Sequence, residues 1–182
     1  MATHVEPLKP RPANVSPEVD DGIDNNDAAG AFLTHTHNMR RGASWFLWIG
    51  LLSVVNSILM FTDSGRFFIA GLGVNLVVDT VAKRMQSGGI LVDAIINGLV
   101  VLAFLGIWTQ ARKGAKWAFL LGMTLYAADS LIFLAGQDWL ALAFHGFALW
   151  RMGSGFKAAR ALGIVVANAQ QKAATATASW SK

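Results

Sequence analysis

Four apolar runs, each close to the length of a bilayer's hydrocarbon core, set the terms for any fold of this chain: 44–61, 90–108, 117–135 and 139–156. About 20 apolar residues span roughly 30 Å as an α-helix, and inside lipid only helices and closed barrels satisfy every backbone N–H and C=O. Composition agrees, since 54% of the 182 residues are hydrophobic and only 14% charged, with a mean hydropathy of +0.44. The sequence therefore predicts an all-α membrane protein. Its core is a four-helix transmembrane bundle plus one short amphipathic or re-entrant helix, behind a disordered N-terminal tail.

The transmembrane domain is expected over 43–162, between two tails. Residues 1–42 hold all four prolines (Pro7, Pro10, Pro12, Pro17), six of the eleven acidic residues and the polar run Asp20 to Asp27. Such a segment buries too little apolar surface to offset its ordering entropy, so it reads as a disordered cytoplasmic tail. It also lacks the basic, apolar and small-residue layout of a signal peptide. Residues 163–182 form an alanine- and threonine-rich tail, helical at first and then loose.

The segment 67–85 is the ambiguous one. Its apolar part, 67–82, is short, carries Gly71 and Gly73, and then places Asn75, Asp79 and Lys83 at i, i+4 and i+8, a polar stripe on one helix face. Crossing would drag Asn75 and Asp79 through hydrocarbon. A helix lying in the interface, with the stripe solvated, avoids that cost.

Charge distribution chooses the topology. With 67–82 not crossing, one side receives Arg40, Arg41, Arg112, Lys113, Lys116, Arg151, Lys157 and Arg160, against Arg66, Lys83 and Arg84 on the other. Cytoplasmic loops carry the excess of Lys and Arg, so both termini are expected inside, in the inner (plasma) membrane. Trp45, Trp48, Trp108, Trp117 and Trp150 then line the cytoplasmic boundary and Trp139 the outer one.

This topology puts Asn56, Asp93, Asn97, Asp129 and His145 in the outer halves of their helices, as a candidate intramembrane polar cluster. Asp129 and His145 lie eight residues before and after Gln137, so an antiparallel hairpin turning there sets them at one depth. A carboxylate in a membrane helix costs about 2.5–3.5 kcal/mol on insertion scales and should face the bundle with a partner. Two readings stand for the pair: an interhelical hydrogen bond that holds two helices together, or a proton, ion or ligand site. Asp93, near the start of its helix, also complements the macrodipole, and Asn56 and Asn97 read first as interhelical hydrogen bonders.

Other chemistry is not encoded. The basic excess (net charge +4) gathers at the ends of apolar runs, where it anchors headgroups, so no nucleic-acid partner is expected. Without cysteine there are no disulfides, thiolate ligands or thiol nucleophiles. His35 and His37 lack a third ligand nearby and read as part of a solvated tail. Gly153-Ser154-Gly155 is not a nucleophile elbow, and no phosphate loop or His-Glu-x-x-His is present. Neither an enzymatic activity, a cofactor nor a metal is expected.

The stretches Gly42 to Ile49 with Asn56-Ser57, Gly71-Leu72-Gly73 followed by Val78-Asp79, Trp117-Ala118-Phe119 through Tyr126-Ala127-Ala128-Asp129, and His145-Gly146-Phe147 together resemble a group of small bacterial multi-pass integral membrane proteins of uncharacterised activity. The resemblance covers roughly 42–162. It implies a fold and a compartment and no chemistry. The expected function is a non-enzymatic structural, accessory or binding protein of the membrane. The alternative is a small oligomeric transporter or channel built around Asp129 and His145. The expected partners are the lipid bilayer and further copies of the chain or other membrane subunits.

Overall fold

The computed structural model describes residues 21–61, 72–85 and 88–180, all of the regular structure being helical. The helices are α1 (Asp21–Phe61), α2 (Gly73–Arg84), α3 (Gly89–Ala111), α4 (Lys116–Ala135) and α5 (Trp139–Trp180). Among the described residues, three stretches are long and apolar enough to cross a membrane: Asn26–Leu59 of α1, Leu91–Ala111 of α3 and Lys116–Ala135 of α4.

Each long helix turns one seam inward. Buried positions fall at Met39, Ala43, Phe46, Ile49, Ser53 and Asn56 on α1, at Asp93, Asn97, Phe104, Ile107 and Ala111 on α3, at Phe119, Gly122, Tyr126, Asp129 and Phe133 on α4, and at Ala141, His145, Ala148, Met152 and Gly155 on α5. The alternating spacing of three and four is that of left-handed helix packing. Outward positions carry large apolar side chains such as Leu99, Leu102, Leu120 and Leu131, the inverse of a water-soluble bundle. The polar residues share these seams with the apolar core, which is why they are enclosed.

α1 and α5 approach most closely where Gly42 faces Gly155. A Cβ built on Gly155 would stand 2.6 Å from the Gly42 Cα, so both backbones need glycine there. Gly155 is thus a crossing point of α1 and α5.

The turns are explicit. After α3, Gly114 takes φ 86° while the Gly114 and Ala115 amides return to Ala111 and Gln110. After α4, Gln137 takes φ 57°, and Asp138 Oδ1 accepts the Ala141 amide at 3.0 Å, capping α5.

Two expectations about the tails are corrected. Residues 21–42, expected to be disordered, are helical and continuous with the first apolar run. The last proline is Pro17, the acidic run opens the helix where negative charge favours its N-terminus, and Met39 and Ala43 are buried against the bundle. Residues 1–20 lie outside the described residues. The loose end expected after 163 is also helical, as α5 continues to Trp180 through an alanine-rich stretch free of glycine and proline after Gly163. Both extensions leave the bundle at the end where α3 turns into α4, since Gly114 adjoins Met39 and Gly163 adjoins Lys116.

Candidate functional site

Asp129 is where three helices meet. Its position on the α4 seam aims the carboxylate at α5, and the short turn brings His145 to the same level, with Nε2 3.1 Å from Oδ2. The first two residues of α2 complete the shell: the Gly73 amide donates to Oδ2 and the Val74 amide to Oδ1, each at 2.8 Å. Amides in the first turn of a helix have no partner within it and carry the positive end of the macrodipole, so they suit a carboxylate. Asp129 thereby caps α2 from another helix. Glycine at 73 makes this approach possible, because a Cβ there would stand 2.9 Å from Phe133 Cε2 and 3.1 Å from Ile132 Cβ.

The imidazole is held on every side. Nδ1 lies 2.9 Å from the Ala141 carbonyl, one turn back on α5. Tyr126 stacks on the ring at 4.2 Å between centroids and 11° between planes, and Phe133 lies at 4.9 Å. Tyr126, Asp129 and Phe133 are spaced three and four apart, so one face of α4 supplies both rings and the carboxylate. With Nδ1 donating to the carbonyl, the Nε2–Oδ2 contact needs one further proton, held on the imidazole or on the carboxyl. In either place the pair is neutral as a whole, which lowers the cost of enclosing it.

The remaining candidates form a second set on α1 and α3. Asn97 Nδ2 donates to Asp93 Oδ2 at 3.1 Å, one turn away, and to Ser57 Oγ at 3.2 Å, tying α3 to α1. Asp93 is fully buried and Asn97 nearly so, and Asn56 is buried beside Ser57. The expected single cluster is therefore two hydrogen-bonded sets, Asp129 with His145 and Asp93 with Asn97.

The expected solvated stripe is corrected at Asn75, which is completely buried. It follows directly on the two residues docked against Asp129, so α2 carries it inward. Its side-chain amide has no hydrogen-bond partner among the described residues. The side chains of Asp79 and Lys83 lie outside the described residues.

Sequence reasoning missed the backbone donors of Gly73 and Val74. The signal that could have found them is the Gly-Leu-Gly step ahead of a helix, which permits close backbone approach. No group of three or more His, Asp or Glu side chains among the described residues could hold a metal ion. His35 and His37 are two apart on α1 and so diverge around the helix. Beside the carboxylate, a lateral crevice of about 340 Å³ opens between α2, α3 and α4, lined by Leu72, Val100, Phe104 and Asp129 among others.

Comparison with protein-family models, with curated proteins and with solved structures gave no match for this chain.

Proposed function

We propose that this chain is a four-span protein of the bacterial inner membrane with both termini cytoplasmic, serving as a non-enzymatic accessory or binding subunit. α5 is the fourth span: it follows α4 after a three-residue turn, and its seam carries His145 to the depth of Asp129. α2 stays on the outer side, docked by its N-terminus. The lysines and arginines around Gly114 and on the α1 and α5 extensions support the cytoplasmic assignment of that end.

One observation carries the non-enzymatic reading. The Asp129 carboxyl group is engaged by three groups of its own chain, two donating amides and an imidazole, which makes it a lock between α2, α4 and α5. A transporter reading is favoured by one feature, the crevice beside Asp129. Proteoliposomes decide between them. The lock reading expects Asp129→Asn and His145→Ala to lower thermal stability in detergent, with no Asp129-dependent proton or ion flux. A flux that reconstituted wild type shows and Asp129→Asn abolishes would establish the transporter reading.

A further inference from the structure

The Arg151 guanidinium lies over the Trp150 ring, 5.7 Å from its centroid, with no anion beside it among the described residues. On α5 Arg151 precedes Lys157 by six residues, about 9 Å deeper along the helix axis. Among the described residues neither Arg151 nor Arg41, its neighbour on α1, forms an ion pair. An arginine below the headgroup level is costly without an anion.

Two clefts between α1 and α5 share Arg41 and Arg151 in their linings. The first, about 430 Å³, is lined by Arg41 and Arg151 with His35, Asn38, Ser154 and Lys157 among others. The second, about 610 Å³, is mostly aromatic: Arg41, Ser44 and Arg151 line it together with Trp45, Trp48, Leu52, Phe144, Phe147 and Trp150. Its rings descend in step. Trp45, Trp48 and Leu52 follow Arg41 by four, seven and eleven residues, and Phe147 and Phe144 precede Arg151 by four and seven. Trp45 packs edge-on against Phe147 at 5.3 Å to make the floor, while Trp48 and Trp150 are 55% and 63% exposed, so the lane is open sideways. From Arg41 to Leu52 it runs roughly 16 Å, about the depth of one leaflet's hydrocarbon.

We propose that this surface is a binding site for an anionic glycerophospholipid, with the phosphodiester between Arg41 and Arg151 and one acyl chain along the aromatic lane. Guanidinium forks match phosphate oxygens in paired hydrogen bonds. Arg41, Arg151 and Lys157 bring three positive charges to one phosphate, so a headgroup carrying its own cation is disfavoured against an uncharged one such as glycerol. The site rests on the proposed reading of α1 and α5 as membrane-crossing helices, with Arg41 at headgroup level.

The test is native mass spectrometry of the full chain in detergent, titrated with dioleoylphosphatidylglycerol, dioleoylphosphatidylcholine or glycerol 3-phosphate. Wild type should retain phosphatidylglycerol at least roughly ten-fold more than phosphatidylcholine, a difference of about 1.4 kcal/mol. Arg41→Gln with Arg151→Gln should erase that preference, Trp48→Ala should weaken both lipids alike, and Lys113→Gln should change neither. Equal retention of the two lipids by wild type would overturn the site, as would a preference that survives in the double glutamine variant. Displacement of the lipid by equimolar glycerol 3-phosphate would assign a soluble phosphate instead and overturn the lipid. Should the glutamine variant fail to elute as a single species, Arg41→Lys with Arg151→Lys decides: a reduced preference supports the forks, an unchanged one contradicts them. Labelling of Gln137→Cys and Gln170→Cys, which flank the apolar part of α5, from opposite sides reports its crossing separately. With that labelling intact, absent selectivity counts against the lipid site alone, whereas same-side labelling removes the crossing and the site with it.

Discussion

Asp129 and His145, eight residues to either side of Gln137, meet with Nε2 3.1 Å from Oδ2 at the level where the α2 N-terminus docks. The contact joins α4 to α5, and the two amides on the same carboxylate add α2. A single side chain thus fixes three helices, and its removal leaves two amides and an imidazole nitrogen to find other partners in a low-dielectric surrounding.

Energetic coupling between these residues is the first consequence. Asp129→Ala should destabilise the detergent-solubilised protein by about 1.5–3 kcal/mol, the range for hydrogen bonds to a charged group. A double-mutant cycle with His145→Ala should show about 1–2 kcal/mol of coupling in reversible unfolding. Additive effects would mean that the two side chains do not interact in the folded protein.

The Gly42 and Gly155 contact gives a second prediction. Gly155→Leu should force α1 and α5 apart and cost about 1–3 kcal/mol, as overpacking does. Gly98→Ala and Gly106→Ala meet nothing within 4 Å, so they should be neutral or stabilising by up to about 1 kcal/mol. Thermal melts of the three variants separate close approach from a general intolerance of side chains at glycine positions.

Gly73→Val places branched atoms where even a Cβ would stand 2.9 Å from Phe133. The expected result is displacement of the α2 N-terminus, seen as faster hydrogen exchange across Gly73–Arg84 while α3 and α4 keep their protection. Unchanged exchange in α2 would count against the docking.

Much of this was legible in the chain. The lengths and composition of 90–108 and 117–135 announced α3 and α4, because lipid leaves few alternatives for an apolar run of that size. The meeting of Asp129 with His145 followed from the register of a hairpin turning at Gln137. What escaped were features set by packing. The donors at Gly73 and Val74 are backbone groups with no side-chain signature, and Asn75 resembled a solvated residue because its spacing from Asp79 is helical. Residues 21–42 looked disordered by composition, yet a helix that begins after the last proline and continues into a buried seam needs little apolar content of its own.

Topology is open to cysteine labelling, since the chain has no native cysteine. Gln137→Cys should react with an impermeant maleimide from outside, and Lys113→Cys and Gln170→Cys only after permeabilisation. Reaction of Gln137→Cys and Lys113→Cys from one side would rule out α4 as a crossing helix.

The lock itself is tested most directly by amide exchange at Gly73 and Val74, read by NMR in wild type and in Asp129→Ala. Both amides should be protected in wild type and should exchange at least about ten-fold faster in the variant, the change expected when roughly 1.4 kcal/mol of local stability is lost. Equal exchange in the two proteins would show that the Asp129 carboxylate does not hold α2.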